Sequence, residues 1–392
     1  MRVLFTTWAW PSHLRAMVPL AIALRDLGHE VQLAAPPALA ATVTFPPAVA
    51  VGQDIDTLPA FRRFVIQPAP VTEPPAPRQA AAGPPRALSV FAEIAEAMCG
   101  DLIEVIRQRE PDLLVYSPTT FAAPVAAAVT GVPAVRHLFG PDLARQLDRF
   151  LPAALAPLRN RYGAGPPTPA AVTVDPCPPG LQLPRPADGG TIIGLRHTPL
   201  AEAWHRAYQR PPSAAGRPRV CVTWGMTMAR LDPALHLAGP IARALGGLGV
   251  QLVVAVTAEQ GRLLGEVPPG TEVVIDAPLH EVIPGCAVVV SQGGAGTLLT
   301  ALGAGIPQVT VAQLPDHRFH GGRLAAAGAG LMLEPGPLEA VRLAVAEVLE
   351  APGYREAAWR LQAEIEAAPS PAEAAAAVAA LAGDRSRMTS AG

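Results

Sequence analysis

Short apolar runs alternate with helical stretches along this sequence, and that alternation most limits the folds it can adopt. The opening 35 residues contain an apolar run at 3–5, leucines at helical spacing up to Gly28, and a second apolar run at 31–34. Such a strand–helix–strand unit predicts neighbouring parallel strands in one sheet. Ligands of parallel sheets usually bind beyond the carboxyl ends of the strands, and residues 6–13 lie at such an end.

The pattern weakens in mid-chain and then resumes, which indicates two domains. The chain has 392 residues, more than one compact domain usually holds, and its segment 163–218 is rich in proline and glycine. A new apolar strand follows at 219–223. We predict an α/β protein with two Rossmann-like domains. Their predicted bounds are 1–200 and 218–384, with a linker at 201–217 and a disordered tail at 385–392.

Composition and charge point to a small molecule as the partner. The formal net charge is −2 with acids and bases interspersed, so no basic surface for nucleic acid or an anionic membrane is expected. No run approaches the ~20 apolar residues of a membrane span, and the N-terminal apolar run is too short for a signal peptide. We therefore expect a cytoplasmic protein. The four cysteines are too widely spaced for a zinc site or a disulfide framework, so no metal is expected.

A glycine-rich turn follows the buried strand predicted at 288–290 and opens an amphipathic helix. Backbone N–H groups at such a helix start bind phosphate, and glycines allow the ligand to come close. A tight turn without a ligand fits the same pattern. The third glycine of a dinucleotide fingerprint and the lysine of an ATP-binding loop are both missing from the turn. The candidate phosphate-binding residues are Gln292, Gly293, Gly294, Ala295, Gly296 and Thr297.

Other motifs accompany this turn across nearly the whole chain. They are Ser12-His13 with the helix 18–25, Gly28-His29-Glu30-Val31, Asp175-Pro176-Cys177-Pro178-Pro179 and Pro315-Asp316-His317. Together they resemble the inverting, metal-independent glycosyltransferases of the GT-B type, especially the actinobacterial enzymes that attach deoxysugars to natural products. The resemblance implies a cleft between an acceptor-binding N-terminal domain and a donor-binding C-terminal domain. It also allows a C-terminal helix that packs back on the N-terminal domain.

The resemblance implies that His13 is the general base, since a histidine near its ordinary pKa can take the proton of an alcohol. A loop histidine without a role is the alternative. Family members often orient this histidine with a carboxylate, but Ser117 stands at that position here. Asp142 and Glu93 are candidate replacements, and a lone histidine is the third possibility. Ser12 and Ser117 are the candidate acceptor-binding residues.

On the donor side the chain departs from the family pattern at three positions. Gln292 replaces a histidine that usually contacts the donor phosphate, and His320 replaces an asparagine. The usual Asp-Gln pair facing the sugar is Asp316-His317 here, and carboxylate and imidazole groups both suit hydroxyl recognition. A polar surface turn is the alternative explanation for this pair.

Two further segments complete the predicted donor site. Thr223 and Gly225 match an element that approaches the diphosphate, and Leu279 lies in a segment similar to the one that meets the nucleobase. The proline-rich stretch 45–86 predicts a mobile loop that helps to cover the acceptor.

These features predict transfer of a deoxysugar from a dTDP-sugar to a hydroxyl of a polyketide-like aglycone. The donor is a cosubstrate, and no cofactor is expected. A homodimer or an activator protein is left open as a partner. The alternatives are a catalytically weak helper protein, a nucleotide-sugar epimerase of the same architecture, and an enzyme that forms a carbon-linked product.

Overall fold

The computed structural model of the chain describes residues 1–66, 85–165, 170–184, 190–200, 205–210 and 216–389. Within these ranges two parallel sheets form, and helices cover both faces of each sheet. The predicted α/β class with two Rossmann-like domains is confirmed. Among the described residues, every helix is too short or too polar to span a lipid bilayer.

The first sheet has seven strands in the order β3-β2-β1-β4-β5-β6-β7. Its strands are β1 Arg2–Thr6, β2 Glu30–Ala35, β3 Ala48–Ala50, β4 Leu113–Tyr116, β5 Ala134–His137, β6 Val172–Asp175 and β7 Thr191–Gly194. The strand order reverses between β1 and β4, so the segments that follow these two paired strands leave in opposite directions and open a crevice at their carboxyl ends. Residues that follow these two strands, His13 and Ser117 among them, lie at this crevice.

The helices of the first half include a long one, α4, whose apolar face packs on the sheet. The helices are α1 Pro11–Asp26, α2 Pro37–Ala40, α3 Leu58–Ile66, α4 Arg86–Arg109, α5 Ala122–Thr130, α6 Leu151–Ala154 and α7 Ala156–Tyr162, with a 3-10 turn at Leu143–Leu147.

The second sheet repeats the design with six strands in the order β10-β9-β8-β11-β12-β13. Its strands are β8 Arg219–Thr223, β9 Gln251–Val256, β10 Glu272–Ile275, β11 Val288–Ser291, β12 Gln308–Val311 and β13 Gly330–Leu333. Here the order reverses between β8 and β11. The carboxyl end of β8 carries Thr223, followed by Trp224 and Gly225, and the glycine turn follows β11, so the two predicted phosphate-binding elements meet at the second crevice.

The helices of the second half are α8 Met226–Leu231, α9 Ala238–Ala244, α10 Ala258–Gly261, α11 Leu279–Val282, α12 Ala295–Gly303, α13 Pro315–Ala326, α14 Leu338–Glu350, α15 Pro352–Ala367 and α16 Pro371–Thr389, with a 3-10 turn at Pro233–Leu235. They flank the second sheet, except the last two: α15 packs on α12, and α16 returns to the first sheet.

The last helix, α16, crosses back to the first sheet. Ala374, Ala375 and Val378 are buried in the same cluster as Leu20 of α1. At the crossing, the backbone N–H of Arg196 donates to the carbonyl of Pro369 at 2.6 Å. The helix extends to Thr389, and the disordered tail predicted at 385–392 stays a prediction.

The proline-rich stretch 45–86 was predicted to be a loop, but it contains β3 and α3. Proline at Pro59 occupies the first turn of α3, where a missing N–H costs no hydrogen bond, so it did not break the helix. Residues 67–84 of this stretch lie outside the described residues. Phe61 of α3 packs against apolar clusters of both domains, and Arg62 Nε donates to the carbonyl of Leu231 at 2.6 Å.

Candidate active site

A cavity of about 550 Å³ lies between the carboxyl ends of the two sheets. Both domains line it. The predicted site residues that line it are Ser12, His13, Thr223, Gly225, Leu279, Gln292, Gly294, Ala295, Gly296, Thr297, Asp316 and His317. Two predicted residues, Ser117 and Gly293, lie behind this lining, and each contacts a histidine that belongs to it.

His13 lies in the first turn of α1, where the chain turns back after β1. The ring is 7 % exposed and stacks on Phe139, with ring centroids 4.0 Å apart. Its Nδ1 is 3.2 Å from the hydroxyl oxygen of Ser117 and 3.5 Å from that of Thr119. Its Nε2 makes no hydrogen bond within the described residues. One ring nitrogen is therefore held by hydroxyl groups while the other is free for a ligand.

Burial lowers the pKa of His13 to about 3, the charge of Asp316 opposes this shift, and His320 adds to it. The imidazole is therefore neutral at any physiological pH. A neutral ring can accept a proton, although the burial that keeps it neutral also makes its protonated form costly. The carboxylate of Asp316, across the cleft, favours that protonated form.

The two carboxylates considered as replacements for the family's acidic partner do not serve His13. Asp142 forms a bidentate pair with Arg136, at 2.6 and 2.7 Å, and its side chain is only 12 % exposed. Glu93 is exposed on α4. In the described part of the chain, the groups hydrogen-bonded to the His13 ring are the hydroxyls of Ser117 and Thr119.

The glycine turn opens α12 at the cavity. Gly293 has a φ of +90°, a conformation that a residue with a side chain rarely adopts, and Gly294 is the N-cap without a capping side chain. The first backbone N–H groups of α12 consequently lack intrahelical partners. Since Ala295, Gly296 and Thr297 line the cavity, this helix start can receive an anion there.

Gln292 links the two phosphate-binding elements. The backbone N–H of Gly225 donates to Gln292 Oε1 at 3.0 Å, which fixes the orientation of the amide and leaves its NH₂ group near Gly225 and Gly294. A side chain at position 225 would collide with that NH₂ group. Gln292 therefore offers a neutral hydrogen-bond donor at the helix start, in place of an imidazole.

α13 presents a carboxylate and two imidazoles to the same cavity. His317 Nε2 is 3.9 Å from Asp316 Oδ2, and His320 Nδ1 is 3.1 Å from the carbonyl oxygen of Gly293. Burial lowers the pKa of both histidines. For Asp316, burial raises the pKa, but the nearby His317 and His320 help to bring it below its ordinary value. The arrangement is an ionised carboxylate beside neutral rings.

Both halves of the chain match models of one protein family. Residues 22–225 match the N-terminal domain, and residues 241–381 the C-terminal domain, of "Erythromycin biosynthesis protein CIII-like". The chain belongs to the erythromycin biosynthesis CIII-like family. This CIII-like protein is thus a glycosyltransferase, with the GT-B architecture expected from its sequence.

Curated relatives and solved structures agree with this assignment. The CIII-like chain is 33 % identical to the 10-deoxymethynolide desosaminyltransferase of Streptomyces venezuelae, over 95 % of each chain, and 34 % identical to the tylactone mycaminosyltransferase of Streptomyces fradiae, over 95 % of this chain and 90 % of that one. The structure of the glycosyltransferase VinC in complex with dTDP has a TM-score of 0.76 at 29 % identity and covers 98 % of this chain and 100 % of its own. Spinosyn rhamnosyltransferase SpnG complexed with spinosyn aglycone has a TM-score of 0.76 at 27 % identity, with coverage of 97 % and 100 %.

The site of this CIII-like enzyme includes residues that the sequence did not single out. Phe139 follows β5 and stacks on His13. Trp224 is 1 % exposed, its indole N–H lies 3.0 Å from Gln313 Oε1, and its carbonyl accepts from Gln260 Nε2 at 2.7 Å. Phe139 and Trp224 both follow the carboxyl end of a strand, which was the available signal. Gln260 belongs to the capping box that begins α10 at Thr257.

Two interdomain contacts of the CIII-like enzyme flank the cavity. Arg323 of α13 donates to the carbonyls of Leu181 and Gln182 in the first domain, at 2.9 and 2.8 Å. Gly140 passes so close to the start of α12 that an added Cβ would lie 2.7 Å from the Cβ of Ala295. These contacts set the separation between the wall that carries His13 and the wall that carries the glycine turn.

Proposed function

We propose that this enzyme transfers a deoxysugar from a dTDP-sugar to a hydroxyl of a polyketide-like aglycone, with inversion, using His13 as the general base. The observation that carries the proposal is the shared cavity. His13, with one ring nitrogen free, lies on one wall, and the uncapped start of α12 forms the opposite wall. The names of the relatives, deoxysugar transferases of polyketide pathways, and the dTDP bound to VinC support the choice of substrates.

The proposed reaction is one displacement. The acceptor oxygen forms a bond to the anomeric carbon while the bond from that carbon to the donor phosphate oxygen breaks, and the electron pair leaves with the diphosphate. The acceptor proton moves to Nε2 of His13, since Nδ1 is occupied by the Ser117 hydroxyl. Attack opposite the leaving group inverts the anomeric centre. Positioned proton transfer of this kind accelerates such steps by typically 10²- to 10⁴-fold.

Charge on the departing diphosphate is the second requirement, and neutral donors of the second domain would meet it. The N–H groups at the start of α12, the Thr297 hydroxyl and the amide of Gln292 face the cavity together. Preorganised donors stabilise a developing anion strongly because they need no reorganisation during the reaction. In this proposal the helix start takes the place that a metal ion holds in other transferases.

The first-domain wall suits an apolar acceptor. Its lining includes Trp10, Ile55, Leu58 and Phe139, and the Trp10 ring packs against Phe61 of α3 with centroids 5.1 Å apart. Apolar and aromatic walls with a few polar groups are typical of small-molecule sites. Ser12 would contact the acceptor at this wall. Ser117, which lies behind the wall, would influence the acceptor only through its hydrogen bond to His13.

Titration calorimetry of dTDP and UDP tests the donor site without the acceptor. We expect the wild-type protein to bind dTDP more tightly than UDP and Gly294→Val to lose this binding, because the added side chain blocks the backbone from the diphosphate. Gly303→Val is the matched control, since a Cβ there meets nothing within 4 Å. A folded wild-type protein that binds neither nucleotide would refute the proposal and favour the helper-protein alternative.

The acceptor side is tested by product analysis once a dTDP-sugar is bound. Mass spectrometry with a panel of polyketide aglycones should show a sugar adduct that His13→Ala does not form. Release of the sugar by mild acid separates an oxygen-linked product from the carbon-linked alternative. Conversion of the donor without any aglycone would instead indicate the epimerase.

A further inference from the structure

His320 holds an unpaired nitrogen at the domain boundary. It lies one helical turn after Asp316 on α13, so both side chains project from the same face of that helix. The ring is 1 % exposed and lines the cavity, and within the described residues its Nε2 has no hydrogen-bond partner. Buried polar atoms are nearly always paired in folded proteins, so a buried nitrogen without a protein partner on a cavity wall is a candidate contact for a group of a bound molecule.

The hydrogen bond at the other ring nitrogen determines what that ligand group must be. His320 Nδ1 lies 3.1 Å from the carbonyl oxygen of Gly293, and a carbonyl oxygen can only accept. Nδ1 therefore carries the proton. In a neutral imidazole the other nitrogen then has a bare lone pair, so Nε2 can only accept a hydrogen bond. Burial lowers the pKa of His320, which keeps the ring in this neutral form.

Two groups border the cavity beside Nε2: Gly140 of the first domain and the carboxylate of Asp316, which is a second acceptor. Gly140 faces Nε2 from the first domain: a Cβ built there would be 3.9 Å away, and glycine has none. The Asp316 side chain is 41 % exposed into the cleft, and its carboxylate is also purely an acceptor. A ligand group that meets both His320 Nε2 and the Asp316 carboxylate must therefore be a hydrogen-bond donor.

We propose that His320 helps to select the donor sugar. Its unprotonated Nε2, beside the Asp316 carboxylate, accepts a hydrogen bond from a hydroxyl or ammonium group of that sugar. This inference rests on the proposed donor site, where the diphosphate occupies the start of α12 and the sugar extends toward α13. The predicted specificity is for sugars with a donor group at the carbon facing α13. Sugars with a deoxy centre or a methyl ether at that carbon are disfavoured.

Two isosteric substitutions separate the ring nitrogens. His320→Asn keeps a donor near the position of Nδ1 but has nothing at Nε2, whereas His320→Gln can place an amide oxygen near Nε2. The probe is whichever of dTDP-D-glucose and dTDP-L-rhamnose binds the wild-type protein more tightly. We expect His320→Asn to weaken binding of this probe about three- to tenfold, and His320→Gln to weaken it by less than about twofold. Binding of dTDP alone should be the same in all three proteins, because the sugar is absent.

The same titration with dTDP-4-amino-4,6-dideoxy-D-glucose distinguishes an ammonium from a hydroxyl. A larger loss with this probe than with the neutral sugars assigns an ammonium, and a smaller loss assigns a hydroxyl. Long-range proton–nitrogen NMR of the full wild-type chain reads the tautomer directly and should show a protonated Nδ1 and a bare Nε2. A protonated Nε2, or a His320→Asn protein that binds the sugar probes like the wild type, overturns the inference. Failure of wild-type protein to bind dTDP would instead overturn the proposed function.

Discussion

Gly140→Ala should separate the two walls of the active site without altering either wall. The added Cβ would lie 2.7 Å from the Cβ of Ala295, whereas non-bonded carbon atoms approach to about 3.5 to 4.0 Å. Neither atom belongs to a flexible side chain that could turn away. The domains must therefore move apart locally by roughly 1 Å at this point. Alanine itself fits the backbone, because the φ of residue 140 is not in the left-handed region.

The size of the effect follows from what lies on each wall. His13 belongs to the first domain and the diphosphate-binding turn to the second, so a shift of this size displaces the acceptor oxygen from the anomeric carbon. Misplacement by about 1 Å can cost on the order of 10²-fold in rate. Donor binding should be unchanged, since the predicted diphosphate contacts all come from the second domain.

The assay is kcat/KM for glycosyl transfer, measured beside the dissociation constant of dTDP. Gly322→Ala is the control, since a Cβ there meets nothing within 4 Å and the residue lies within α13. Gly140→Ala with wild-type kcat/KM would refute the reasoning, because the interdomain spacing would then be irrelevant to catalysis. Loss of dTDP binding would place Gly140 in the donor site instead.

Three further predictions concern the histidines. His13→Ala should lower kcat by about 10²- to 10⁴-fold and leave dTDP affinity unchanged; equal losses of both would contradict a base role. Ser117→Asp places a carboxylate beside Nδ1 and should raise the pKa of His13 from about 3, so the pH–rate profile gains an acidic limb nearer neutrality; an unshifted profile would argue against this contact. Burial lowers the pKa of His137 and His197 to about 4 in the folded chain. Between about pH 6.5 and pH 4 these two histidines are therefore protonated in the unfolded chain but neutral in the folded chain. Urea denaturation should therefore show an unfolding free energy lower at pH 5 than at pH 7, by about 2 kcal/mol for each of the two, and His137→Gln should remove its share.

The sequence was a good guide wherever the signal was local. Apolar runs marked the strands, and the glycine turn and His13 could be found because each follows the carboxyl end of a strand. In the described part of the proline-rich stretch, 45–66, the loop prediction was wrong because proline was taken as a helix breaker, while in α3 it occupies the tolerated first turn.

Contacts between distant residues could not be found in this way. His13 and Ser117 are 104 positions apart, and only the β1–β4 pairing brings them together. Asp142 was a plausible partner for His13 until the structure showed that Arg136, six positions away, occupies it. The fit of Gly140 against Ala295 depends on how two domains meet, which no local pattern encodes.

The return of α16 to the first sheet means that the chain crosses between the two domains twice. The two passages are adjacent, since the segment after β7 is hydrogen-bonded to the segment before α16 through Arg196 and Pro369. The domains also contact each other through Arg62 and Leu231, through Gly180 and Glu364, and where Gly140 meets Ala295. Opening of the cleft for substrate entry would therefore require these contacts to break while the paired crossings stay joined.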